Sequence, residues 1–297
     1  MYKYKNSISG KIFDVFNVIL MLFISFICIA PVLHVLFASL SDPVKLSAHT
    51  GILLKPLGFT WVGYKIIFSN TTILIGYLNT IFYVIVGVGV STLLTLLGGY
   101  ALSRKNLLWG NVAMFFITFT MFFNGGLIPF YLVVTKLGLY NTRWAIILPT
   151  AISAFNLIIM RTSLREIPDS IEESALIDGA GHFTILFRII MPLAKATIAV
   201  IVLFYAVAMW NSWFNASIFL RDRNKYPLQL VLKEILVQND ASTVINSSTS
   251  TTGLNTDIYK PLVKYCTIMA ATLPVLCFYP FAQKYFVTGV MIGSIKG

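Results

Sequence analysis

Uncharged stretches too long for an ordinary core constrain this chain more than any other feature. From Val15 to Leu40 there is no Asp, Glu, Lys or Arg, and roughly 20 consecutive apolar residues let one helix cross the hydrocarbon core of a bilayer. Comparable runs continue along the chain and place six expected spans at 14–40, 74–102, 111–134, 143–160, 192–219 and 262–286. Composition agrees. The chain is 57% hydrophobic and 11% charged, where a soluble domain carries about 25% charged residues. The expected class is an all-α integral membrane protein with six transmembrane helices, not a soluble all-α domain with a large core.

The first run exceeds the ~7–15 residues of a signal-peptide core, and no small-x-small cleavage site follows it, so an uncleaved span is expected. Six spans put both termini on one side. Lys and Arg accumulate in short cytoplasmic loops close to span ends. The "SRKN" stretch (103–106) and Arg161 with Arg165 therefore place both termini and the 167–183 loop in the cytoplasm. Lys3, Lys5, Lys11, Lys105, Arg188, Lys284 and Lys296 fall on the same side. A net charge of +11 suits contact with anionic lipid head groups. No basic stripe interleaved with aromatics points to nucleic acid. Cys28, Cys266 and Cys277 sit in apolar stretches without paired spacing, which suggests neither disulfides nor a metal site. His34, His49 and His182 are likewise scattered.

Two spans carry internal marks. In the second, Gly87, Ser91, Thr95 and Gly99 recur every fourth residue. Such a stripe lets another helix backbone approach closely in lipid, and its expected role is packing. The third contains "FFNGGLIPFY" (122–131). Its glycines and proline predict either an interrupted span lining a transport route or a simple kink at Pro129. The outer loops are sizeable. Residues 41–73 hold Pro43 and Pro56, and could receive a partner or merely connect. In 221–261, Leu228, Val231, Leu232, Ile235 and Leu236 form one apolar helical face. That helix is expected to lie on the membrane surface or pack across span ends. The Ser/Thr-rich "ASTVINSSTSTTG" follows it.

Against the basic bias, Glu166 to Gly181 holds five acids and no Lys or Arg. Ser170 with Glu173 three residues on is a capping-box pattern. Glu172 and Glu173 then occupy the first turn, where carboxylates suit the positive helix end. Gly179 and Gly181 are stop signals. Phe183, Leu186, Phe187 and Ile190 follow at i, i+3, i+4 and i+7, and Pro192 suits the first turn of the fifth span. A capped acidic helix, a glycine bend and an amphipathic helix are expected. Complementary charge on a basic groove gives such an island a purpose; a solvated loop cap is the other reading.

"ESALIDGAG", with Phe187 and "IIMPL" (189–193), resembles the EAA loop of binding-protein-dependent ABC importers. Glu173, Ala175, Asp178, Gly179, Ala180 and Pro192 match in type and spacing. Ser174 replaces one alanine, Met191 the usual leucine, and Ala196 stands where a second proline is common. "NGGLIPFYLVVTKLGLYNTRWAIILP" and "YPFAQKYFVTGVMIGSIKG" resemble the shorter permease subunit of maltose-type carbohydrate importers, oligosaccharide branch. The resemblance covers nearly the whole chain.

It implies a type I importer permease fold. Residues 1–13 would form a cytoplasmic N-terminus, 14–291 the six-span domain and 292–297 a cytoplasmic tail. The 166–190 loop would hold a coupling helix between spans 4 and 5 that docks on an ATPase subunit through Glu172, Glu173, Ser174, Ala175, Asp178, Gly179, Ala180 and Gly181. Glu173 would pair with a base there, and Gly179 would permit the turn. The tail "GSIKG" (293–297) would reach the same interface. The implied partners are a second, homologous permease in a heterodimer, two ATPase subunits, an extracytoplasmic solute-binding protein, membrane lipid and an oligosaccharide. The implied location is the bacterial cell membrane. The chain has no G-x-x-x-x-G-K-[ST] loop, so no cofactor is expected on it; ATP and Mg would bind the partner ATPase subunits.

In "WNSWFNAS" (210–217), Trp210 and Trp213 are three apart and Asn211 and Asn215 four apart. Rings that stack on sugar faces and amides that bond hydroxyls predict a sugar path, joined by Phe123, Asn124 and Asn156. The competing reading is an aromatic belt and interhelical amide bonds. An ion-coupled secondary carrier would need intramembrane ionisable groups, and these spans hold almost none. A membrane enzyme would need clustered His, Asp, Glu or Ser, and no such set occurs outside the acidic loop.

Overall fold

In lipid an unbroken helix satisfies its own backbone, while a break must be covered by protein or face a water-filled space. Both arrangements occur here. The structure, a computed structural model, describes residues 8–104, 107–237 and 256–294. Residues 1–7 with Lys3 and Lys5, Lys105, the Ser/Thr-rich stretch within 238–255, and tail residues 295–297 lie outside the described residues. The described residues are helix and turn, with one isolated antiparallel bridge between Ser41 and Phe59.

The chain divides into two compact units, 1–70 with 235–272 and 71–234 with 273–297. The first contains α1 (Ile8–Ser39), α2 (Pro43–Ala48) and α3 (Val62–Ser69). α1 is apolar all round, and large side chains from Ile12 to Ile29 are exposed on it, as on a helix solvated by lipid. Its C-terminal end is pinned. Ser39 Oγ and Tyr64 Oη share a 2.8 Å hydrogen bond, and the Cys266 thiol donates to Ser39 O at 3.1 Å. The 41–73 loop is thus folded rather than a bare connector: Asp42 caps α2 by accepting from the Val44 and Lys45 amides. A Cβ on Gly63 in α3 would lie 2.5 Å from Cys266 Sγ.

The second unit is built on α4 (Thr71–Ser103). At ~1.5 Å per residue, its 33 residues reach well beyond the ~30 Å hydrocarbon core. Around it lie α5 (Gly110–Phe122), α6 (Leu127–Lys136), α7 (Trp144–Thr150) and α8 (Ala154–Arg165). Next come α9 (Asp169–Ile177), α10 (His182–Leu193), α11 (Lys195–Trp210), α12 (Trp213–Phe219) and α13 (Leu228–Val237). α14 (Thr256–Ser294) runs through both units and contains the expected sixth span. The small-residue stripe does the packing work predicted for it. A Cβ on Gly99 would lie 2.5 Å from Met160 of α8, and one on Gly87 2.9 Å from Met209 of α11.

Among the described residues, α1 and α4 are each long and apolar enough to cross a membrane. Three further expected spans pass that test only as bent pairs: α5 with α6 at 117°, α7 with α8 at 50°, α10 with α11 at 87°. The third span is interrupted, and its break is at the glycines rather than at Pro129. Gly126 takes φ +88° and Asn124 Oδ1 accepts from its amide at 2.9 Å. Pro129 sits in the first turn of α6, where a missing N–H costs nothing.

Two local expectations are corrected. Pro192 lies near the end of α10 rather than in the first turn of α11, which starts at Lys195 after a bend at Ala194. The buried face there is Ile185, Leu186 and Ile190, with Phe183 73% and Phe187 40% exposed. Residues Ile185–Ile190 form a π-helix, whose wider turn shifts the apolar stripe out of the 3.6-residue register.

In the 221–261 loop, α13 buries Leu228, Leu230, Val231, Leu232 and Ile235. Its first turns pack across a helix end: Leu228 N donates to Thr80 Oγ1 at 2.8 Å, and Gly76 leaves room for the Leu228 backbone. Asn79 Nδ2 donates to the Asn224 and Tyr226 carbonyls.

Candidate functional site

The acidic helix starts from its proline. Pro168 has ψ 134°, which ends α8's direction, and α9 begins at Asp169. Ser170 therefore lies inside the helix, and the capping box does not form. Ser174 Oγ donates to the Ser170 carbonyl at 2.8 Å, while Asp169 and Glu172 occupy the first turn. The far end closes as a Schellman motif. Gly179 N donates to Leu176 O at 3.0 Å and Ala180 N to Ala175 O at 2.9 Å, with Gly179 at φ +80°. Only glycine takes that backbone without strain. Gly181 is extended at φ −73°, ψ 157° and serves as the cap of α10 instead.

The helix has two faces of opposite character. Glu173, Ser174, Leu176, Ile177 and Asp178 are exposed. Glu172 and Ala175 are buried, at 8% exposure each. Ala175, with Ala180 beside it, joins the core formed by Leu96, Tyr100, Met160, Leu164, Ile185, Leu186 and Ile190.

Glu172 is drawn inward by α4. Tyr100 Oη donates to Glu172 Oε1 at 2.9 Å, and the Arg104 guanidinium forms an ion pair with the same carboxylate. That guanidinium lies over the Tyr100 ring, 4.6 Å from its centroid, and donates to Ser103 Oγ. Ser103 Oγ in turn donates to the Tyr100 carbonyl at 2.7 Å. Nearby, Arg161 Nε of α8 donates to Leu102 O at 2.9 Å. A carboxylate buried without such partners would be too costly to keep ionised. The sequence grouped Glu172 with Glu173 as equals on one surface, and the structure separates them. Arg104 was read only as a topology signal and Tyr100 not at all.

The second polar region is a cavity of about 720 Å³ between α7, α8, α11 and α12. Thr150, Ser153, Asn156, Asn211, Ser212 and Asn215 supply its polar groups, and Phe155, Phe204, Tyr205 and Phe214 its aromatic wall. It exists because two helices stop short. Ser153 caps α8, and α11 ends at Trp210 with Asn211 and Ser212 forming the link to α12. Tyr205 Oη fixes the wall by accepting from Ser153 N at 3.0 Å and sharing a 2.7 Å bond with Thr95 Oγ1. Asn211 Nδ2 donates to Val207 O at 2.9 Å, and no protein donor to its side-chain oxygen is present among the described residues.

Of the expected sugar-path residues, Asn156, Asn211 and Asn215 meet here. The others do not. Trp210 lines a separate apolar cleft of about 260 Å³ with Val84, Leu203 and Pro274. Trp213 receives the Lys233 ammonium 4.4 Å from its ring centroid. Phe123 stacks on Phe119 at 4.2 Å, and Asn124 closes the turn between α5 and α6. The divergence follows from the break at 211–212: once the helix stops, i, i+3 spacing no longer puts two rings on one face. Tyr205 and Ser153 were missed because both lie in apolar surroundings with no periodic mark. Among the described residues, no group of three or more His, Cys, Asp or Glu could hold a metal ion.

Residues 91–278 match the family model for the binding-protein-dependent transport system inner membrane component. The polygalacturonan/rhamnogalacturonan transport system permease protein YtcP of Bacillus subtilis (strain 168) is 40% identical over 288 residues, 97% of this chain and 99% of that one. Protein LplC of the same organism is 38% identical over 292 residues, 98% of this chain and 97% of its own. A crystal structure of a bacterial ABC transporter involved in importing the acidic polysaccharide alginate aligns with a TM-score of 0.86 at 33% identity, covering 96% of this chain and 100% of the matched one.

Proposed function

The chain belongs to the family of binding-protein-dependent transport system inner membrane components, and from that premise we propose how it works. It is a non-catalytic, multi-pass, all-α permease subunit of an ABC importer that carries saccharide chains. The cargo is an oligosaccharide. The subunit works in the bacterial cell membrane with a second permease, two ATPase subunits that hold ATP and Mg, and an extracytoplasmic solute-binding protein. It crosses the membrane six times with both termini cytoplasmic.

α9 is the coupling helix. The observation that carries this reading is its division into faces. Glu173, Ser174 and Asp178 are exposed, and among the described residues none of the three side chains bonds to another element, while Glu172 and Ala175 are tied to the core. Gly179, Ala180 and Gly181 shape the turn that presents the outer face. ATP binding closes the ATPase pair, moves α9, and shifts the spans between inward-open and outward-open states. A switch from 1:99 to 99:1 requires about 5.5 kcal/mol of differential interaction. The cavity of Asn156, Asn211 and Asn215 is this subunit's share of the sugar path, its amides meeting hydroxyls. An ion-coupled carrier is disfavoured: Glu172 is the one buried acid or base among the described residues, and it sits at the end of α4 in an ion pair.

The test is affinity purification of the tagged chain from its host. Wild type retains the ATPase subunits, and Glu173→Ala loses most of them. Equal retention by both would remove Glu173 from the docking surface.

One observation favours an anionic cargo. At the end of the second unit opposite α9, Lys136, Arg143, Arg221, Arg223, Lys225 and Lys233 outnumber Asp222 and Glu234. Arg221 lies over the Tyr140 ring at 5.7 Å and is exposed. A cationic mouth raises the local concentration of anionic chains, in keeping with the polygalacturonan and alginate named for its relatives. Galacturonate oligomers are expected to bind the cognate solute-binding protein in preference to neutral oligomers of equal length.

A further inference from the structure

Transport machinery of this kind needs two separate properties where ATP's energy arrives. One surface must hold the ATPase, and something must make the spans follow that surface. The second requirement is met by a small closed network. Glu172 of α9 is bound by two groups at the end of α4, Tyr100 Oη at 2.9 Å and the guanidinium of Arg104, the residue after the helix. Arg104 is itself held by the Tyr100 ring and by Ser103 Oγ. Ser103 returns a hydrogen bond to the Tyr100 backbone. Each member has at least two attachments; Tyr100 and Ser103 lie on the last turn of α4 and Arg104 is the residue that follows it. Among the described residues, α9 makes no side-chain hydrogen bond to another element through Glu173, Ser174 or Asp178. Ala175 and its neighbours add an apolar contact to the core, and a charge-assisted hydrogen bond is stronger and more directional than a neutral one.

We propose that Glu172 is a positioning residue that latches the coupling helix to α4, so that the helix cannot move without carrying α4 with it. α4 is the right element to receive the motion. Gly87, Thr95 and Gly99 on it are in tight contact with Met209 and Tyr205 of α11 and Met160 of α8, and α8 and α11 form two walls of the amide-lined cavity. A displacement of α4 is therefore felt at the cavity. Glu173 holds the ATPase and Glu172 transmits: two adjacent carboxylates, 100° apart on a helix, divide the task. This inference rests on the reading of α9 as the ATPase-docking helix.

The experiment uses the full importer in proteoliposomes, with Asn215→Cys introduced into the cavity and Cys28 and Cys277 replaced by Ser. A membrane-impermeant maleimide added outside reports opening of the cavity, with and without ATP and orthovanadate. ATP hydrolysis and ATPase co-purification are measured on the same preparations. With Glu172 intact, ATP raises the labelling rate. Glu172→Gln is expected to keep the ATPase subunits bound and leave KM for ATP unchanged, while the ATP-dependent rise in labelling falls by about tenfold, within the usual range of coupling between sites. The exchanged pair Arg104→Glu with Glu172→Arg is expected to restore part of the rise, since the ion pair between the two positions is kept with its signs reversed. Tyr100→Phe removes one hydrogen bond and is expected to give a smaller loss.

A wild-type response in Glu172→Gln overturns the latch. So does an exchanged pair no better than Glu172→Gln. If Glu172→Gln and Tyr100→Phe both fail to assemble, the network is a folding element and the latch is again overturned. Failure of the docking reading looks different: Glu173→Ala then keeps its ATPase subunits while Glu172→Gln loses them.

Discussion

The two polar regions of this molecule are built on opposite principles. Around Glu172, at the end of α4, every polar group is matched: carboxylate, guanidinium, phenol and hydroxyl close on one another. Around the cavity, amides are left open. Asn156 is 4% exposed, yet its side-chain amide has no protein partner among the described residues, and Asn211 commits only its N–H. A fully matched buried network rigidifies, and an unmatched buried polar group is costly. On the proposed reading, the first region passes on a movement without slipping and the second binds hydroxyls weakly enough to release them.

That contrast predicts unequal responses to truncation. The largest effect belongs to Arg104→Ala, which leaves Glu172 buried without its cation. Losing one partner of a fully buried pair costs about 3–5 kcal/mol. With side-chain exposures of 23% and 11%, water relieves part of that, and a loss of roughly 2–3 kcal/mol is expected from the same principle, read as a lowered unfolding midpoint in detergent. Next comes Tyr205→Phe, the one place where the cavity is as tightly tied as the latch. It strands Ser153 N and Thr95 Oγ1 and is expected to cost about 1–3 kcal/mol, by the same thermal measurement. Gly179→Val forces a branched side chain to φ +80° and is expected to cost about 1–2 kcal/mol, while Gly181→Ala, at φ −73°, is expected to leave the midpoint unmoved. The smallest stability change is expected from Asn156→Ala, within about 0.5 kcal/mol, accompanied by a raised KM for uptake. If Asn156→Ala destabilises as much as Arg104→Ala, the division into a matched and an open region is wrong.

Much of this was legible in the residues, and the limits have physical causes. Long apolar runs, the small-residue stripe and the α13 face follow from periodicity, which packing preserves. The stop at Gly179 follows from a backbone conformation few other residues adopt. Three things escaped. Ser170 looked like a cap, yet Pro168 already sets the extended residue before the helix, so Ser170 falls two residues past the cap position and the box does not form. Phe183, Leu186, Phe187 and Ile190 looked like one apolar face, but the π turn at Ile185–Ile190 changes which residues align. Trp210 and Trp213 look like neighbours on one path, but one helix ends at Trp210 and the next begins at Trp213, and Trp210 lines the apolar cleft. Breaks in a helix are decided by tertiary contacts, and a period cannot announce where it stops.

The central claim is that this chain moves its cargo only when an ATPase drives α9. The direct measurement is uptake of a labelled galacturonate oligomer into proteoliposomes holding this chain, its partner permease, the ATPase subunits and the solute-binding protein. The account predicts uptake with ATP and Mg at the ATPase side, none without ATP, and none on imposing a proton or sodium gradient alone. Uptake driven by an ion gradient in the absence of ATP would contradict it.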